Sequence, residues 1–426
     1  MMMSRPASGL SIAQQLRKSA VPGDNNGEKR LPGSVYRAKT SVSSKYDIIG
    51  FISVYKAREK LGPNSDAKAL YAIKRFKPER EGDAQLQWTG LSQSAIREMA
   101  LCSELSHPNI VHLAEIILED KSVFMVFEYC EHDLLQIIHH HTQPRRLIPA
   151  SMIKSILFQL LNGLFYLHTQ AWVLHRDLKP ANIMVTSGGH VRIGDLGLAR
   201  LFYKPLQSLW SGDKVVVTIW YRSPDLLLGA KHYTPAIDMW AVGCIFAELL
   251  SLRPIFKGEE TKMDSKKTVP FQRNQMGKIV EILGMPRREN WKGLIDMPEY
   301  MQLQTLAASR GSGVPGGGGG GGGLYSSTTS LGGGRMPADK GSGSNLESWY
   351  NNILKTANYQ VDKSPGPKGY QLLSELFEYD PDKRLTAEQA LHHEYFRNTS
   401  DGPNKGKIWV SNNCFEGLEE EYPPRR

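Results

Sequence analysis

The chain has 426 residues, 40% hydrophobic and 22% charged, a globular balance and a length that suit one large folded unit with tails. Its four cysteines (Cys102, Cys130, Cys244 and Cys414) stand far apart with no Cys-x-x-Cys pair, which suggests neither a disulfide framework nor a zinc site and points to a reducing compartment. The net charge of +9 comes from scattered Lys and Arg, so it reads as a solvated surface, and neither nucleic acid nor membrane is expected as a direct partner.

In chain order, residues 1–45 are rich in Ser, Gly, Pro and charge and read as a mobile tail without a signal-peptide core. Residues 46–131 read as short strands around one helix. Tyr71–Phe76 (YAIKRF) and Ser122–Tyr129 (SVFMVFEY) have strand composition. Between them Ser92–Leu105 carries apolar residues at Ile96, Met99, Leu101 and Leu105 behind starting serines, the pattern of a capped amphipathic helix.

Residues 132–397 are mainly helical. Ser151–His168 is strongly apolar, and short strands follow at 172–174, 183–185 and 191–194. Ala236–Leu252 is apolar but holds Asp238 and Glu248 and is shorter than the ~20 residues of a membrane span, so it reads as a buried helix. Residues 309–345, with eight consecutive glycines at Gly316–Gly323, read as a flexible insertion. Regular structure returns near Leu346 and closes with Asp380–Phe396. Residues 398–426 read as a second tail.

Phosphoryl transfer depends on positioning and charge stabilisation more than on covalent chemistry. His175–Asn182 (HRDLKPAN) satisfies the pattern H-R-D-L-x-x-x-N at every fixed position. In it Asp177 suits the carboxylate beside an attacking hydroxyl, Asn182 offers a hard amide oxygen to Mg²⁺, and Lys179 suits a place near the transferred phosphate. Asp195-Leu196-Gly197 follows, with Asp195 suited to the Mg²⁺ that bridges phosphates. Lys74 stands beside Arg75 in an otherwise apolar strand.

On these residues the chain resembles the eukaryotic protein kinase family over 46–397, in its serine/threonine form. The resemblance implies an α+β fold of two lobes, a β-rich N-lobe over 46–131 and a helical C-lobe over 132–397. It implies adenine between Ala72 and a hinge near Glu128 and Cys130, Val54 above it and Met184 as its floor. It implies that Lys74 grips the α- and β-phosphates of ATP and pairs with Glu98 of the amphipathic helix. Ser94–Glu98 (SAIRE), Glu128–Leu134 (EYCEHDL) and Val216–Arg222 (VVTIWYR) are similar to cyclin-dependent kinases. Longer segments and the final CFEG are similar to the fungal branch that acts with a cyclin C-type subunit in the Mediator kinase module. That branch implies a nuclear enzyme acting on Ser/Thr-Pro sites of the RNA polymerase II C-terminal tail and of transcription factors.

The chain departs from the family in three places. Ser223-Pro224-Asp225 stands for Ala-Pro-Glu, with Arg384 as the expected ion-pair partner of the shortened acid. Asp213 stands where many relatives carry a phosphorylated threonine, facing Arg97, Arg176 and Arg200. The pattern G-x-G-x-x-G-x-V is missing: Tyr46–Ile52 and Val54–Ala57 match the first two strands, but the turn that covers the phosphates is absent. A shortened transcript and a real loss both account for this. A real loss would favour a catalytically weak or dead scaffold that holds a cyclin.

Overall fold

The computed structural model describes residues 41–51, 54–60, 69–76, 93–119, 122–143, 146–202, 218–230, 232, 234–261, 270–311, 343–356, 364–397, 406–408, 410–418 and 422. Asp213, Ser53, most of the N-terminal tail and the centre of the glycine-rich insertion lie outside them.

The N-terminal part is a five-stranded antiparallel sheet with one long helix. A helical turn α1 (Val42–Lys45) leads into β1 (Tyr46–Phe51), β2 (Tyr55–Glu59) and β3 (Leu70–Phe76). Helix α2 (Gln93–Glu104) follows, then β4 (Leu113–Glu119) and β5 (Ser122–Glu128), in the spatial order β1-β2-β3-β5-β4. The period of two along β3 sorts its side chains. Ile73 is fully buried with Tyr46, Ala57, Ile117 and Val126, so Ala72 and Lys74 point to the opposite face.

Strands β1 and β2 still pair, from Tyr46↔Glu59 to Phe51↔Tyr55, with an irregularity between Ile48 and Gly50. The hairpin therefore survives without the long turn, and Gly50 sits where the register shifts, as a bulge glycine would. Val54 precedes β2 instead of belonging to it.

Helix α2 buries Ala95, Glu98, Leu101 and Cys102, a stripe at helical spacing. Ile96, expected on the apolar face, is 52% exposed. Leu101 and Leu105 are buried as the pattern predicts, while in the first turns Ala95 and Glu98 take the inner face in place of Ile96 and Met99.

The C-terminal part begins with β6 (His132–Asp133), α3 (Leu134–Thr142) and the core helix α4 (Ala150–Thr169). By length and apolarity α4 could cross a membrane, but here most of it is buried in the lobe. Next come β7 (Val173–Leu174), β8 (Ile183–Val185), β9 (Val191–Ile193) and β10 (Arg200–Leu201). Helices α5 (Pro224–Leu227), α6 (Ala236–Ser251), α7 (Arg273–Leu283) and α8 (Tyr300–Gly311) follow, then α9 (Leu346–Thr356), α10 (Gly366–Leu376) and α11 (Ala387–Leu391). Helix α6 is buried almost all round, with Trp240 at its centre stacked on Phe256. Together the sheet and the helical part make a two-lobed α+β fold.

Two sequence boundaries need correction. Helix α8 runs to Gly311, into the segment read as insertion. On the other side the Asn345 N–H donates to the Ile282 carbonyl at 2.7 Å, so order resumes slightly early. The C-terminal tail is not loose throughout. The Cys414 N–H donates to the Gly189 carbonyl at 2.9 Å, and the Ser155 hydroxyl donates to the Ser411 carbonyl at 2.6 Å. The Tyr422 ring stacks on Phe415, and its hydroxyl meets the buried His141 ring at 2.8 Å. Composition marked this stretch as polar, but the Ser411 carbonyl ties it to α4, the Cys414 N–H to Gly189 and the Tyr422 hydroxyl to α3.

Candidate active site

A cleft of about 570 Å³ lies between the sheet and the helical part. Val54, Ala72, Glu128, Cys130 and Met184 line it, together with Lys74, Glu98, Asn182 and Asp195. Every residue assigned from sequence to nucleotide or metal is therefore at one place. Sequence reading missed Cys102, Val111, Phe127 and Tyr129, which complete the apolar wall. Phe127 and Tyr129 were signalled only by their position beside the hinge, and Cys102 and Val111 by nothing local.

Lys74 is the electrostatic centre. Its Nζ donates to both Glu98 oxygens at 2.8 and 2.9 Å and to Asp195 Oδ1 at 3.0 Å. Burial alone would pull the Lys74 ammonium down, but the two carboxylates outweigh it and hold its pKa above the ordinary lysine value. For Asp195 burial pushes up and Lys74 pulls down, and Lys74 wins. Glu98 is more deeply enclosed, so burial prevails and its carboxyl stays above the usual range despite the same lysine.

Asp195 reaches Lys74 from a left-handed backbone, φ 58°, and Arg176 also has positive φ, 71°. Such non-glycine conformations cost on the order of 1–3 kcal/mol each and persist only where the surroundings hold them. The surroundings here are specific. Asp238 on α6 is wholly buried and accepts from the backbone N–H groups of His175 and Arg176 at 2.9 and 2.8 Å. Its Oδ2 also meets His168 Nε2 at 3.0 Å. Burial would raise this carboxyl, but the His168 ring leads a set of partners that hold it below the usual aspartate range. In sequence Asp238 was only a charge interrupting an apolar helix. The structure makes it the anchor of the loop that carries Asp177.

Asp177 Oδ2 accepts from Lys179 Nζ at 2.8 Å and from Asn182 Nδ2 at 3.1 Å. Asn182 Nδ2 also donates to the Asp177 carbonyl at 2.8 Å. The amide protons of Asn182 are thus committed to Asp177, which leaves its Oδ1 as an acceptor for a cation. Among the described residues no group of three His, Cys, Asp or Glu could hold a metal. Asn182 and Asp195 therefore form a sparse oxygen pair, the donor set that Mg²⁺ uses when phosphates supply the remaining ligands.

Beyond this centre the ion pair expected from sequence is present: Arg384 Nη2 meets Asp225 Oδ1 at 3.3 Å, both buried. The Tyr221 hydroxyl donates to Glu248 at 2.7 Å, and burial pushes the Glu248 carboxyl up to about 7. Arg97 donates to the Gly197 carbonyl and Arg176 to the Leu198 carbonyl, at 3.3 and 3.0 Å. Both arginines thus approach the Asp195-Leu196-Gly197 segment, while Asp213 lies outside the described residues.

The family model for the protein kinase domain matches residues 50–396. The chain is 62% identical to the serine/threonine-protein kinase ssn3 of Aspergillus niger, over 93% of this chain and 86% of that protein. It is 62% identical to its Aspergillus fumigatus counterpart, over 95% and 88%. To that of Coccidioides immitis it is 58% identical, over 99% and 85%.

Proposed function

This chain belongs to the protein kinase family and is a serine/threonine-protein kinase, and from that premise we propose that it is the cyclin-dependent kinase of a fungal Mediator complex. A protein kinase uses ATP and a divalent metal, and the metal proposed here is Mg²⁺. The observation that carries an active enzyme over a scaffold is Lys74 within 3.0 Å of both Glu98 and Asp195. In kinases this pairing must be in place before phosphoryl transfer.

In this reading Lys74 grips the α- and β-phosphates, and Glu98 keeps it extended toward the cleft. Ala72 and Val54 cover the adenine, Met184 lies beneath it, and backbone groups at Glu128 and Cys130 meet its edge. Asn182 and Asp195 hold Mg²⁺, which offsets the phosphate charge when bound. Asp177 orients the substrate hydroxyl and accepts its proton, and Lys179 neutralises the transferred group.

The cyclin C-type partner is supported by Ser94–Glu98 and by the exposed Ile96 on α2, an apolar side chain that a docking subunit would cover. Mediator kinase-module subunits, the RNA polymerase II tail and transcription factors, and a nuclear location all rest on the segment resemblances. The test is phosphorylation of a repeated Ser-Pro tail peptide by the full chain, with and without a cyclin C-type subunit. The subunit is expected to raise turnover strongly and to favour Ser-Pro over Ser-Ala peptides. Full activity of the chain alone, or no preference for proline, would overturn the proposal.

The shortened β1–β2 connection gives a second expectation. A longer turn would offer backbone N–H groups to the phosphates, each charge-assisted bond being worth about 1.5–3 kcal/mol. Inserting Gly-Thr-Tyr-Gly between Ser53 and Val54 should therefore tighten Mg-ATP binding by about tenfold or more. Calorimetry checks this, and equal affinity with and without the insertion would show the turn to be dispensable here.

A further inference from the structure

Residues 105–112 connect α2 to β4, and their middle is built into the helical lobe. The Ile193 N–H on β9 donates to the Asn109 carbonyl at 2.8 Å, and the Val111 N–H donates to the Ile193 carbonyl at 2.9 Å. The Asn109 amide nitrogen donates to the Val191 carbonyl at 2.9 Å, and its oxygen accepts from Asn162 at 2.9 Å. The connector is thus joined to β9 by backbone and side chain together. The next residue, His112, meets the start of the hinge. The Glu128 N–H donates to the His112 carbonyl at 3.0 Å, and the His112 N–H donates back to Glu128 Oε1 at 2.9 Å.

Arg192, the neighbour of Ile193, closes the ring. Its Nε donates to the same Glu128 Oε1 at 3.0 Å, and its Nη1 donates to the Pro108 carbonyl. One planar guanidinium therefore spans the connector and the hinge, which a point cation would do less well. An isolated ion pair of this exposure, 18% for Arg192 and 27% for Glu128, would be worth little. Its placement gives it a role. Glu128 lines the nucleotide cleft, and Arg192 stands opposite Met184, the floor residue, in the β8–β9 ladder. Glu128 spends its N–H on His112, so an adenine edge at this residue meets its carbonyl. The residue that carries that carbonyl is fixed twice, by its N–H and by its carboxylate. Lys74 meets Glu98 and Asp195 in the same structure, so this lock accompanies the assembled site and does not oppose it.

We propose that Arg192 is a positioning residue for the nucleotide: through Glu128 it fixes the hinge against the helical lobe in the orientation that receives adenine. Without it the hinge keeps its backbone bond to His112 but loses its tie to β9. Adenine must then fix the hinge as it binds, and that ordering is taken from its affinity. The phosphate end of the cleft, held by Lys74, Glu98 and Asp195, is untouched by the change.

This rests on the cleft as the ATP site, and the two ideas fail separately. A parent chain that binds neither ATP nor adenosine removes the nucleotide site itself, whereas the lock is tested by comparing variants of a chain that binds both. In Arg192→Ala the Kd for ATP, measured by calorimetry on the full chain, should rise about three- to fivefold, the upper part of what a partly exposed ion pair is worth. The Kd for adenosine should rise by the same factor, because the loss lies at the adenine edge. KM for ATP should follow, with kcat on a Ser-Pro peptide within twofold of the parent. Glu128→Gln keeps an acceptor for His112 and removes the charge. It should reproduce the loss, and adding Arg192→Ala to it should cost nothing further. Arg192→Lys restores a cation and should lie between the parent and Arg192→Ala. A merely structural arginine would lower kcat and the melting temperature without singling out adenosine. Unchanged affinity in Arg192→Ala, a loss for ATP that adenosine does not share, a fall in kcat as large as the rise in KM, or additive losses in the double variant would each overturn the proposal.

Discussion

Asp177→Asn should lower kcat by about 10²–10⁴-fold, the usual worth of a positioned general base, while leaving the fold and ATP affinity almost unchanged. The substitution is nearly isosteric. Its amide oxygen can take the place of Oδ2 and still accept from Lys179 and Asn182. The loop itself does not depend on the Asp177 charge. It is held by Asp238, which receives the His175 and Arg176 N–H groups, and by His175 Nε2 on the Gly194 carbonyl at 2.9 Å. An amide cannot accept the proton of an incoming hydroxyl, so the loss falls on turnover alone. Steady-state kinetics on a Ser-Pro peptide, with a nucleotide-binding isotherm beside it, separates the two quantities. Activity within threefold of the parent would remove Asp177 from the chemistry. A large loss of ATP affinity would make it a phosphate-site residue.

The sequence made the centre of this site readable because its chemistry is carried by residue types at fixed spacing. Lys74, Asp177, Asn182 and Asp195 are polar residues inside apolar surroundings, and each sits in a motif short enough to recognise. Glu98 was legible as a partner for Lys74, and Arg384 as one for Asp225. The parts that escaped are those whose role comes from tertiary placement. Asp238 looks like any acid in a helix until α6 is packed beneath the catalytic loop. Ile96 belongs to an apolar pattern, and only the burial of Glu98 turns it outward. Cys414, Phe415 and Tyr422 lie in a segment of polar composition. The Tyr422 hydroxyl meets His141 and the neighbouring Ser411 carbonyl accepts from Ser155, contacts that span more than 250 positions, beyond the reach of any local pattern. The β1–β2 hairpin shows the reverse case. Its turn motif is gone, yet cross-strand pairing from Tyr46 to Phe51 preserves it.

Arg384→Ala should destabilise the helical lobe by about 3–5 kcal/mol, the cost of breaking a buried ion pair from one side. The Arg384 side chain is fully enclosed and spends its donors on four acceptors. Nε meets the Glu378 carbonyl at 2.8 Å and Nη1 the Ala236 carbonyl at 2.7 Å. Nη2 meets the Tyr379 carbonyl at 3.2 Å and Asp225 Oδ1 at 3.3 Å. Its guanidinium also lies over Trp240 at 5.2 Å. Truncation would leave an uncompensated carboxylate and three buried carbonyls, and open a cavity against the central tryptophan. The acid side of the pair is worth less. Asp225 contributes one long contact where the usual glutamate would reach further, and Arg384 keeps its three carbonyls without it. Asp225→Asn should therefore cost less, about 1.5–3 kcal/mol, the value of a single hydrogen bond to a charged group. Urea unfolding of the full chain, followed by tryptophan fluorescence, gives both numbers. The order of the two losses is the sensitive part. If Asp225→Asn proved as damaging as Arg384→Ala, the carboxylate would be the indispensable partner. The three carbonyl bonds would then contribute little to holding Arg384 against α6.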